Sequence, residues 1–125
     1  MAAGSAMGAL GAHALQDVLN EARLESWDTA CLYMLVMGAA LVGAPTSEQA
    51  QRRALRAVLV GTWLFSASIV GLVVLGTLEV GTWFRAVLGP VTPLGGVLMI
   101  GGWSGWVWQV WASRRKVTGR KNGER

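Results

Sequence analysis

The sequence predicts an all-α polytopic membrane protein, a transmembrane bundle of four helices whose first member is short. Three observations carry that prediction. Of 125 residues, 53% are hydrophobic and 14% are charged, whereas a water-soluble domain carries roughly a quarter charged residues. Mean hydropathy is +0.43. The uncharged residues also fall into long unbroken runs. The length allows one domain, taken as residues 1–112, followed by a basic tail over 113–125 that is expected to be flexible.

Each element has its own justification. Met1 to Leu15 is uncharged but only 15 residues long, and it is dominated by Ala, Gly and Ser. It spans only where the bilayer thins or other helices cover it. The segment lacks the basic stretch of a secretory signal and the Arg of an ordinary transit peptide, so it reads as mature structure. Thr29 to Ala44 is an apolar run of 16 residues. Because Asn20 can cap a helix that begins at Glu21, the second helix is expected over about 21–43, wet at its start. Ala57 to Leu78 holds 22 residues without a charge, and at about 1.5 Å per residue this length crosses the hydrocarbon core. It predicts a third helix over about 55–78. Val91 to Ala112 has the same length and no charge. It predicts the fourth, with Pro93 in the first turn, where a missing amide proton does least harm. Between the last two, Val80, Trp83, Phe84, Val87 and Leu88 recur at helical spacing. That pattern predicts a short amphipathic helix lying in the membrane interface.

Charge provides a separate test of four crossings. Residues 16–28 carry Asp17, Glu21, Glu25 and Asp28 against Arg23, while Arg52, Arg53 and Arg56 face a single Glu48 in 45–56. The tail has six basic residues against Glu124. Lys and Arg collect on the cytoplasmic or matrix side, so both termini are expected inside and the acidic turn outside. The net charge of +4 sits beside apolar runs, which points to lipid head groups and not to nucleic acid.

Within the spans the candidates are few. Gly4, Gly8 and Gly11, and then Gly101 and Gly105, have spacings that let helices approach closely, either inside the bundle or against a partner chain. His13 is the only His. It is expected to be neutral and hydrogen-bonded to a neighbouring helix, through Ser66, Ser68, Tyr33 or a carbonyl; the sharper alternative is a proton carrier or ligand. Ser66 and Ser68 are expected to bond back within their own helix or across to another. Trp27, Trp83, Trp108 and Trp111 fall near predicted boundaries as interfacial anchors, with Trp63, Trp103 and Trp106 deeper. Arg114, Arg115 and Lys116 directly follow the last helix and suit anionic lipid, cardiolipin included.

One Cys and one His exclude a disulfide framework, a cysteine metal site and a multi-histidine metal centre. No cofactor or metal is expected. No nucleophile, base and orienting acid can be assembled from these residues, so no enzyme activity is expected.

The order of several motifs resembles the small membrane family that includes transmembrane protein 256 and bacterial inner-membrane relatives. They are GALGAHAL (Gly8 to Leu15), TACLYM (Thr29 to Met34), LFSAS (Leu64 to Ser68) and TPLGG (Thr92 to Gly96), with Gly102 and Trp103. The resemblance implies a compact four-helix membrane protein in the bacterial plasma membrane or the mitochondrial inner membrane, with no established enzyme activity. It departs in a shorter apolar stretch before His13 and in Met37, where relatives often carry a second His.

The functional expectation is a non-catalytic accessory subunit of a larger membrane complex, in the respiratory chain of the mitochondrial inner membrane. The competing expectation is a small self-associating transporter or channel lined by His13, Ser66 and Ser68.

Overall fold

A computed structural model describes the backbone of residues 1–123 and the side chains of residues 1–115. Helix α1 spans Ala2–Leu10 and runs on through a π-helical turn, Gly11–Leu15. Helices α2 (Glu21–Gly43), α3 (Gln49–Thr77) and α4 (Trp83–Gly123) follow. The protein is therefore all-helical among the described residues, with a short first helix. Three helices, over Glu21–Gly43, Gln49–Thr77 and Trp83–Arg115, are long and apolar enough to cross a membrane.

The helix starts show how local chemistry sets the boundaries. Asn20 caps α2, its Oδ1 accepting from the Arg23 amide at 3.0 Å. At α3, Glu48 and Gln51 form a reciprocal capping box. That box moves the start of α3 from about residue 55 to Gln49 and puts Arg52, Arg53 and Arg56 on its first two turns. At the far end of α3, the Val80 amide donates to the Leu75 carbonyl across Glu79, whose φ is 53°. This is the left-handed helix stop usually given to glycine.

Two expectations about α4 are corrected. The periodic segment 80–88 is helical from Trp83 but is not a separate interfacial helix, because it forms the opening turns of α4. Phe84 is buried, and a Cβ on Gly71 would lie 3.0 Å from Leu88 Cδ1. Packing on α3 therefore carries the chain through Pro90 and Pro93 in one helix. Past Ala112, where a tail was expected, α4 continues to Gly123. Ser113 ties it to the start of α3, with its hydroxyl donating to Glu48 Oε1 at 2.8 Å.

The bundle is open, each helix packing on the next in chain order. The closest approach is the antiparallel crossing of α3 and α4. A Cβ on Gly61 would stand 2.7 Å from the Gly95 carbonyl oxygen, one on Gly95 2.5 Å from the Phe65 amide nitrogen, and one on Gly102 2.8 Å from the Ala54 carbonyl. The backbones touch with no room for a methyl group. In lipid, where helix association rests on packing and not on expulsion of water, this contact is a main source of cohesion. Helix α2 leans on the other flank of α3, where Ser66 donates to the Ala30 carbonyl at 3.1 Å. Helix α1 leans on α2, its Gly4 against Met34 and the Cys31 carbonyl.

The α3–α4 crossing predicts a contrast between adjacent glycines. Gly95→Ala forces backbone against backbone and is expected to cost about 1–3 kcal/mol, whereas a Cβ on Gly96 meets nothing within 4 Å. Thermal unfolding of the two variants in the same detergent should show a lowered midpoint for the first alone.

Candidate functional site

The intramembrane polar residues do not assemble into one site. Ser66 is buried and spent on the Ala30 carbonyl. Ser68, also buried, bonds the Phe65 carbonyl at 2.8 Å and shares a 2.7 Å hydrogen bond with Thr92 of α4. His13 lies in the π-helical turn and is exposed. It makes no hydrogen bond or ion pair among the described residues. The expected hydrogen bond to a neighbouring helix is therefore corrected: the short α1 puts His13 beside the acidic turn and away from the bundle core. Among the described residues, no three His, Cys, Asp or Glu side chains come together to hold a metal ion.

The glycines divide by destination. Gly4 and Gly11 are buried against α2, the latter with a Cβ position 2.7 Å from Trp27. Trp27 is only 4% exposed, and its indole donates to the Met7 carbonyl at 2.9 Å. It is a core residue joining α1 to α2 and not an interfacial anchor. A Cβ on Gly8 meets nothing within 4 Å, and one on Gly105 just reaches Ala54 at 4.0 Å. Gly101 is exposed and also open.

Gly101 belongs to a continuous outward face of α4. Leu94, Val97, Gly101, Ser104, Trp108 and Trp111 are all exposed and follow one another at alternating steps of three and four. That is the spacing of a helix-pairing seam, narrow in its middle at Gly101 and Ser104 and broad at its indole end. Trp103, Ser104, Val107, Trp108 and Trp111 border a shallow cavity of about 580 Å³. Trp108 is 66% exposed, and Trp63, expected deeper, is also exposed, on the flank of α3.

The seam ends in positive charge. Arg115 stacks on Trp111 with its guanidinium carbon 3.4 Å from the ring centroid, a close cation–π contact. Arg114 is exposed beside it, and Arg52, Arg53 and Arg56 stand exposed on the opening turns of α3 at the same end of the bundle. The side chain of Lys116 lies outside the described residues.

The sequence reading missed the bridges from α2. Trp103 donates to Met37 Sδ at 3.4 Å and Trp106 to the Pro45 carbonyl at 3.2 Å. At the opposite end Arg23 donates to the Gly76 carbonyl at 2.9 Å and to Thr77 Oγ1 at 3.3 Å. It satisfies the last turn of α3, where a cation also meets the negative end of the helix dipole. The available signal was a lone Arg among four acids.

The family described as Protein of unknown function (DUF423) matches residues 7–96. The UPF0382 membrane protein C1782.12c of Schizosaccharomyces pombe is 35% identical over 101 residues, covering 78% of this chain and 83% of its own. The UPF0382 membrane protein SAUSA300_0565 of Staphylococcus aureus is 36% identical over 105 residues, covering 77% of this chain and 75% of its own. No solved structure matches the chain.

The placement of the polar residues yields a paired prediction. Ser66→Ala removes a buried interhelical hydrogen bond and is expected to cost about 1 kcal/mol, while His13→Ala leaves stability unchanged. Unfolding midpoints measured side by side would test both.

Proposed function

We propose that this protein, which belongs to the DUF423 family of integral membrane proteins, is a non-catalytic accessory subunit of a larger membrane complex. The observation that carries the proposal is the outward seam of α4. A lipid-facing helix needs no regular groove of small residues, but a partner helix does, because packing is what holds helices together in lipid. Leu94, Val97 and Trp108 are large, exposed side chains on either side of the Gly101–Ser104 narrowing. They offer knobs and a hole to one opposing transmembrane helix. The indole end would add an amphipathic belt where the complex meets water.

The membrane we assign is an energy-transducing one, the mitochondrial inner membrane in a eukaryote or the plasma membrane in a bacterium. Support comes from relatives named as membrane proteins in both a fission yeast and a bacterium. The partner we assign is a respiratory-chain complex. The basic end, with Arg52, Arg53, Arg56, Arg114 and Arg115, faces the matrix or cytoplasm under the positive-inside rule. Both termini share that side. Arg115, held flat on Trp111, is set to meet anionic lipid there, cardiolipin included. The transporter alternative needs His13, Ser66 and Ser68 along one path, whereas Ser66 and Ser68 are buried and hydrogen-bonded inside the bundle and His13 is exposed in the π-helical turn.

Gentle detergent extraction followed by native electrophoresis and mass spectrometry tests the role. Migration with a respiratory complex at constant ratio to its core subunits is the expected result. Gly101→Leu fills the seam without touching the bundle and should shift the protein to a small free species while leaving it inserted. Retention of that variant at full occupancy removes the seam from the assembly, and migration of the wild type only as a free species or homo-oligomer removes the accessory role.

A further inference from the structure

A second feature lies at the opposite end of the bundle from the basic patch. Helices α2 and α4 flank α3 without meeting: among the described residues no Cα of one lies within 8 Å of a Cα of the other. At the basic end the cleft between them is bridged by Trp103 on Met37 and by Trp106 on the Pro45 carbonyl. Toward the acidic turn it stays open, as a cavity of about 480 Å³ whose walls include Arg23 of α2, Arg85 of α4 and, on α3, Ile69, Leu72 and Val73.

The polarity of this cleft runs along the membrane normal. Arg23 and Arg85 are each the third residue of their helices, at the water boundary, while Ile69, Leu72 and Val73 lie one to two turns deeper on α3. Two cations line the cavity and no carboxylate does. Three acids of this end, Glu21, Glu25 and Asp28, line a different hollow, on the outer side of α2 with Leu32. Arg23 spends two donors on the end of α3, and a guanidinium has five. Arg85 makes no side-chain hydrogen bond or ion pair among the described residues and only a distant approach, 6.0 Å, to the Phe84 ring.

We propose that this cleft binds an anionic phospholipid, its phosphate held between Arg23 and Arg85 and one acyl chain lying along Ile69, Leu72 and Val73. The charge pattern selects the head group: two guanidiniums with open donors, facing one space, match phosphate oxygens. The apolar floor selects a tail over a soluble anion. The site lies in the leaflet opposite Arg114 and Arg115 and does not depend on the accessory role.

A photoreactive lipid tests the site directly. Wild-type protein is reconstituted in phosphatidylcholine vesicles containing a minor fraction of phosphatidylglycerol that carries a diazirine on one acyl chain. After irradiation, adducts are mapped by mass spectrometry. Adducts are expected at Ile69, Leu72 or Val73, with yields about tenfold lower when the diazirine sits on phosphatidylcholine. Loss of one charge-assisted contact in Arg85→Gln is expected to lower them about tenfold, with an unchanged unfolding midpoint because that guanidinium makes no hydrogen bond or ion pair among the described residues. Arg115→Gln, at the other face, should leave these adducts intact. Equal labelling by the two lipids, or labelling of α3 unaffected by Arg85→Gln, overturns the proposal.

Discussion

The architecture depends on backbone contact between α3 and α4 at Gly61, Gly95 and Gly102. Among the described residues, a Cβ at each of these three points would fall within 3 Å of backbone atoms of the facing helix. In water such a crossing would be helped by the withdrawal of apolar surface from solvent. In a bilayer the competing lipid tails are just as apolar, and the gain comes from the density of contacts between complementary surfaces. Once α4 is seated this closely, Ser68 meets Thr92 and Ser113 meets Glu48 along the same crossing. The polar contacts of the pair are therefore consequences of its packing.

The second crossing works differently. Between α2 and α3 the join is made by a hydroxyl reaching a carbonyl, Ser66 to Ala30, and by Arg23 closing the last turn of α3. Arg23 does so at the water boundary, where its remaining donors need not be buried. Alone among five charged residues in 16–28, it is placed by the cap at Asn20 on the side of α2 that faces α3. Glu21, Glu25 and Asp28 line a separate hollow of α2. A turn that reads as simply acidic in sequence is, in three dimensions, an acidic outer surface backed by a basic inner one.

The number of helices, the short α1, the Asn20 cap and the segregation of basic residues were legible because each rests on a property the sequence states directly: length, charge or a local side-chain-to-backbone bond. The family resemblance rested on four motifs between Gly8 and Gly96, inside the matched residues 7–96, and on Gly102 and Trp103, which lie beyond them. Which glycines do the packing was not legible. Helix α4 has Gly95, Gly96, Gly101, Gly102 and Gly105 within little more than three turns, and all its faces are apolar. A helix in lipid carries no polar stripe to mark its outside, so the pair at 101 and 105 drew attention by its spacing. The chain instead uses 95 and 102, seven apart. Only their partners on α3 distinguish them, Gly61 and Phe65 for Gly95 and Ala54 and Val58 for Gly102, and that information is not local. The continuity of α4 through Pro90 and Pro93 was hidden for a related reason: the packing of Phe84 and Leu88 on α3 outweighs two missing amide protons.

The same crossing accounts for the two surfaces that remain. An inward row of Phe84, Leu88, Thr92, Gly95, Met99 and Gly102 is buried or half-buried, and its steps of three and four keep it against α3 for the whole crossing. A second row displaced around the helix, from Leu94 through Gly101 to Trp111, must then face outward for the same length. The indoles at 103 and 106, between the two rows, reach sideways to α2 and to Pro45 just beyond it, at one end only. Toward Arg85 the intermediate residues are too small to bridge the gap, Gly89 among them, and the cleft stays open. One close contact thus fixes a seam on the far side of α4 and a charged opening on its near side. Changes at Gly95 should disturb both surfaces together, whereas changes at Gly101 or Arg85 act on one alone.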